Sequence, residues 1–219
     1  MILKRDTTEP GDCVSVDQYV STVLGRLPHT KGKEKKDEKY NGGTIFVDHA
    51  TGYVHLSHQV SLRAGETVNS KTEFERFAAQ HGVFVRRYRA DNHPFKSEEF
   101  QKSLDPTRQS ITFSGVGAKR QNGVAERTVQ TISSWARAML LHAVLHWPDA
   151  ANLELWPFAM AHAVYLWNHI PRKDIRKSPY ELFTKSVMPS ELYLQRQHVW
   201  GCPVYVLDPR LQDGKKIPK

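Results

Sequence analysis

The chain alternates short apolar runs rich in Val, Ile, Tyr and Phe with charged connections in its first half. Longer helical periodicities fill its second half. Residues 13–20, CVSVDQYV, read as a strand, as do TIFVDH at 44–49 and YVHLSHQV at 53–60. The intervening Ala50-Thr51-Gly52 makes the last two a hairpin, since Gly supplies the turn. Over 65–82 the apolar positions Val68, Phe74, Phe77 and Ala78 recur at near-helical spacing until Gly82 stops them. VFVRRYRAD at 83–91 predicts a short buried strand ending on Asp91. A short amphipathic helix follows at 96–104 and a fifth strand, SITF, at 110–113. SGVGAKRQNG at 114–123 reads as a glycine-rich mobile loop.

From 124 to about 145 a long helix is predicted, with Val129, Ile132, Ala136, Met139, Leu140 and Val144 as its buried stripe and Pro148 as its stop. A second helix over 153–169 carries Trp156, Met160, Val164 and Trp167. SPYELF at 178–183 starts a third, with Ser178 and Glu181 spaced as a capping box and Pro179 at its first position. HVWGCPVYVLDP reads as a final strand or hairpin start. Antiparallel strands followed by alternating strands and helices predict an α/β domain, a mixed five-stranded sheet flanked by helices.

Composition adds a soluble, intracellular expectation: no apolar run approaches the ~18 residues that span a bilayer, and MILKRDTTEPGD is no secretory signal. Cys13 and Cys202 offer neither a disulfide framework nor a zinc site and read as small buried residues. The net charge is +8, and residues 171–219 carry ten Lys/Arg against five Asp/Glu, an excess that fits a polyanion. The lysine-rich stretch at 31–39 is diluted by Glu34, Asp37 and Glu38 and reads as a solvated loop. His55 and His58 stand three apart on a strand, hence on opposite faces. They read, with His49, as exposed by chance. The tryptophans at 135, 147, 156 and 167 predict helix packing.

Three acids remain: Asp17 within the first strand, Asp91 at the end of another, and Glu126 in the first turn of the long helix, beside its buried stripe. Hard divalent cations take oxygen ligands, and two of them held by a few carboxylates drive in-line phosphoryl displacement. Each acid alone has an ordinary reading as a cap or turn residue, and Asp48 is a decoy of that kind.

GTIFVDHATGYVHL, YRADNHPFKSEEF and above all RQNGVAERTVQTISSWARAML resemble the catalytic core of retroelement integrases. The Asn-Gly pair before Glu126 is similar to the copia-type retrotransposon branch, and SPYELF and VWGCPVYVLDP resemble the segments that follow the core there. The resemblance covers roughly 11–207. It implies a ribonuclease H-like fold and a DDE polynucleotidyl transferase, with Asp17, Asp91 and Glu126 holding two Mg²⁺ or Mn²⁺ ions. It also implies 3′-end processing and strand transfer on element and target DNA, a homo-oligomer when active, and work in the nucleus. Lys119, Arg120, Gln121, Asn122 and Arg127 are the expected DNA contacts.

The expected organisation is an extension at 1–10, the core at 11–170, a helical linker at 171–198, and the start of a small β-barrel-like segment at 199–219. The pattern departs at His93, where the family commonly has Gly, and no upstream His/Cys zinc domain is seen, as in a piece or remnant of a longer polyprotein. Two alternatives follow: a remnant that binds nucleic acid without catalysis, and a ribonuclease H-like nuclease.

Overall fold

A computed structural model describes residues 9–28, 39–91, 94–104, 106, 108–113, 122–150 and 152–205. Strand β1 (Val14–Gly25) lies at the centre of a five-stranded sheet of order β3-β2-β1-β4-β5. It pairs antiparallel with β2 (Tyr40–Asp48), which turns at Gly52 into antiparallel β3 (Val54–Gln59). Gly52 sits at φ +69°, the left-handed conformation that favours glycine. On the other side of β1, β4 (Arg87–Ala90) and β5 (Ser110–Phe113) run parallel to it, reached through helices α1 (Ala64–Gln80) and α2 (Glu98–Lys102). The predicted mixed sheet is therefore present. The fourth strand is shorter than its apolar run, because only Arg87–Ala90 has a ladder partner.

Alternation along β1 divides the molecule into two layers. Val14 and Val16 enter a core with Phe46, Phe74, Tyr88 and Phe100; Phe46 and Phe74 stack at 4.9 Å. Tyr19, on the opposite face, joins Ile45, Val47, Ile132, Ala136, Trp156 and Met160. The second layer is built by α3 (Gly123–His146) and α4 (Trp156–His169), joined through 3₁₀ turns at Pro148–Ala150 and Leu153–Leu155. Trp135 and Trp167 meet between the two helices at 6.0 Å. Gly43 is required under Tyr19, whose hydroxyl would collide with any Cβ there.

Several details differ from the sequence pattern. Val144 is half-exposed while Ala143 is buried, so the stripe of α3 turns by one residue near its end. His55 and His58 do lie on opposite faces, but neither is an exposed residue. His55 packs on Phe46 and Phe74, and His58 donates from Nε2 to the Pro157 carbonyl at 2.9 Å, which leaves Nδ1 to accept from the Tyr19 hydroxyl at 2.6 Å. Burial lowers both imidazoles to about 4, so both are neutral at pH 7. Residues 198–205 form a turn and extended chain that pair with no strand among the described residues, and the rest of the predicted strand, 206–209, lies outside them. Cys13 is buried, Cys202 partly so, and both are free.

After α4, helices α5 (Pro179–Thr184) and α6 (Glu191–Leu194) return to the first core through Phe183, stacked on Tyr53 at 4.3 Å. The predicted capping box is formed. Ser178 Oγ accepts from the Glu181 amide (3.1 Å), and Glu181 Oε2 accepts from the Ser178 amide (2.9 Å). Ser178 Oγ also bonds Ser190 Oγ at 2.6 Å. Replacing the fully buried Ser178 with Ala removes both bonds and should cost about 1–2 kcal/mol of unfolding free energy in a urea titration.

Candidate active site

Asp17 lies on the face of β1 that looks toward α3. The parallel ladder to β4 pairs Val14 with Tyr88, Ser15 with Arg89 and Val16 with Ala90. Asp17 and Asp91 occupy the next position on each chain, where neighbouring strands lie ~4.8 Å apart. The third acid comes from α3. Asn122, its N-cap residue, donates from Nδ2 to the Val16 carbonyl (3.1 Å), fastening the helix start to the strand beside Asp17. Glu126 is four residues further on, one turn along the same helix face.

The electrostatics record how the three sit together. Burial raises the Asp17 carboxyl from 3.8 to about 6, and the charges of Asp91 and Glu126 push it further in the same direction. The Gln18 backbone N–H, donating to Asp17 Oδ1 at 2.8 Å, opposes that rise. Two acids thus act on a third from different elements. Among the described residues no three His, Cys, Asp or Glu side chains converge as closely as metal coordination requires. The donor set is oxygen-only, and the buried Asn122 Oδ1 has no hydrogen-bond partner among the described residues. Both features fit a hard divalent ion and its water shell.

Asp48 has another task. Its carboxylate is buried and accepts from the Gly11 amide (2.8 Å), the Thr51 amide (2.9 Å) and the Thr51 hydroxyl (2.7 Å), closing the β2–β3 turn.

The expected DNA contacts divide. Lys119, Arg120 and Gln121 lie outside the described residues, as does His93. Arg127 is exposed, and its Nε donates to the Gly123 carbonyl at 2.8 Å. Asn122 is fully buried, and its Nδ2 donates to the Val16 carbonyl of β1. Ser15, on the same face of β1 as Asp17, bonds His49 Nε2 through its hydroxyl at 2.7 Å. A cavity of about 630 Å³ lies elsewhere, lined by Arg176, Lys177 and Lys185 together with Glu181 and Glu191, and contains none of the three acids.

No family model matches the sequence. Among solved structures the chain is similar to the HTLV-2 integrase catalytic core domain in complex with magnesium. The dimeric form of that domain shares 20% identity at a TM-score of 0.57, with 81% of this chain and 99% of that chain covered. The trimeric form shares 18% at 0.55, covering 80% and 97%. A chain of the simian T-cell lymphotropic virus intasome in complex with the PP2A regulatory subunit B56 gamma shares 18% at 0.59. There, 94% of this chain is matched to 61% of the other. The fold is therefore the ribonuclease H-like fold of integrase catalytic cores.

Proposed function

We propose that the chain is the catalytic core of a copia-type retrotransposon integrase, a DDE polynucleotidyl transferase acting on element ends and target DNA. The observation that carries this reading is the β1–β4 register, which brings Asp17 and Asp91 to adjacent positions, with the start of α3 and its Glu126 fastened beside them through Asn122, within a fold shared with integrase cores. Asp17, Asp91 and Glu126 would hold Mg²⁺ or Mn²⁺. When bound, a pair of such ions lowers the pKa of an attacking water or 3′-hydroxyl and balances charge on the leaving oxygen.

The protein's own part is to place the acids. β1 and β4 set two of them side by side, and α3 brings the third from above the sheet. Arg127, exposed one residue beyond Glu126, and the Lys119–Gln121 segment would grip phosphates, which positions DNA without reading its sequence. Work on two DNA ends calls for more than one protomer, in line with the dimeric, trimeric and intasome assemblies of the matched proteins.

The test is a joining assay with labelled element-end oligonucleotides and plasmid target. Processed and joined products are expected with Mg²⁺ or Mn²⁺ and none after EDTA. DNA bound but neither cut nor joined with either ion would leave a nucleic-acid-binding remnant. Cleavage of an RNA–DNA hybrid without joining would indicate a nuclease.

A further inference from the structure

Among the described residues of the site, Asn122 is a fully buried polar side chain with half of its amide unused. Its Nδ2 donates to the Val16 carbonyl across 106 residues of sequence, while Oδ1 has no partner among the described residues. The orientation of the amide is fixed by that bond, because a flipped group would set oxygen against oxygen. A buried acceptor left unpaired carries a desolvation cost that native folds seldom accept without a use for the atom. The same planar group lies against the peptide that joins Val16 to Asp17 and one helical turn before Glu126. Asn122 makes no side-chain capping bond in its own helix, so capping does not explain it.

We infer that Asn122 is a positioning residue of the site. Its Nδ2 latches the first turn of α3 to β1 and so sets the spacing of Glu126 from Asp17. Its Oδ1 accepts a hydrogen bond from water on a bound divalent cation. The second part rests on the metal-dependent reading above, whereas the latch does not.

The experiment compares the protein with Asn122→Ala and, to keep the volume filled, Asn122→Leu. Two quantities are measured: Mn²⁺ affinity, by EPR titration, and hydrogen exchange of the Arg127–Thr131 amides without metal. Partners outside the ligand sphere typically alter metal affinity 10- to 100-fold, so a loss of at least ~10-fold is expected in both variants. Faster exchange at the start of α3 is expected as well. Ser178→Ala, which weakens the fold away from the acids, should leave Mn²⁺ affinity unchanged and so separates positioning from loss of stability. Unchanged affinity and unchanged exchange in both variants would overturn the inference. If the unaltered protein binds no Mn²⁺ while both variants speed exchange, the latch stands and the metal-dependent function falls.

Discussion

Glu126→Gln abolishes metal-dependent joining, with a loss of at least ~10³-fold, equivalent to about 4 kcal/mol of transition-state stabilisation. The substitution keeps the length and shape of the side chain and removes one negative charge. A cation then loses an anionic ligand, while the fold loses little. Glu126 stands in the first turn of α3, where a negative charge is worth about 0.3–1 kcal/mol against the helix dipole. Removing it also relieves its repulsion of Asp17, which offsets that cost. The variant should therefore keep its circular dichroism spectrum and its DNA affinity, so the lost product can be assigned to chemistry. Joining at an undiminished rate by Glu126→Gln, with either Mg²⁺ or Mn²⁺, would remove the acid from the mechanism.

The sheet was legible because its strands carry their own signals. β2 and β3 are joined by a turn that needs Gly52, and α1 stops at Gly82, which sits at φ +70°. What stayed hidden depends on which residues meet across long stretches of chain. Asp17 and Asp48 both follow β-branched residues, and nothing local separates them. The difference is that Asp48 turns into the Gly11 and Thr51 donors, while Asp17 lies one position beyond the β1–β4 ladder, next to Asp91.

His55 and His58 read as surface residues because alternation cannot reveal that α1 covers one face of β3 and α4 the other. The valine-rich end has the composition of a strand, but a strand needs a partner, and Pro203–Tyr205 pair with no strand among the described residues. Val144 fits an ideal helical stripe, yet Ala143 takes the buried place because Gly201 packs on it, close enough that a Cβ there would stand 3.1 Å from the Ala143 Cβ. The carboxylate trio was identified from motif resemblance, and its spatial logic comes from the fold. Asn122 looked like a DNA contact because it sits in a basic, polar loop sequence. Its commitment to Val16, on a strand far away in sequence, has no local trace.

Asp17→Asn should stabilise the metal-free protein above pH 6, the reverse of what removing a structural carboxylate does. The folded state raises the Asp17 carboxyl from 3.8 to about 6, chiefly by burial, so its neutral form is the one that folding favours. Below pH 4 the group is protonated in folded and unfolded chains alike, and its contribution is fully present. That contribution is lost as pH rises through about 6, where the folded chain must finally ionise. Each unit of pKa is about 1.4 kcal/mol, so ionisation costs roughly 1–3 kcal/mol at pH 7.5 once partial exposure is allowed for.

Asn keeps an oxygen for the Gln18 amide and never ionises, so the variant escapes this cost. For a chain of this length the gain corresponds to a melting temperature higher by roughly 3–9 °C at pH 7.5. The gain should vanish near pH 4. The titration of His55 and His58, which lowers stability below about pH 6.5, is common to both proteins and cancels in the difference. A divalent cation inverts the comparison: at 100 times its dissociation constant it stabilises the unaltered protein by about 2.7 kcal/mol and the variant by much less. Melting curves at pH 4 and 7.5, with and without Mg²⁺, decide the matter. A variant less stable than the unaltered protein at pH 7.5 without metal would mean that Asp17 is held by a structural partner and not opposed by Asp91 and Glu126.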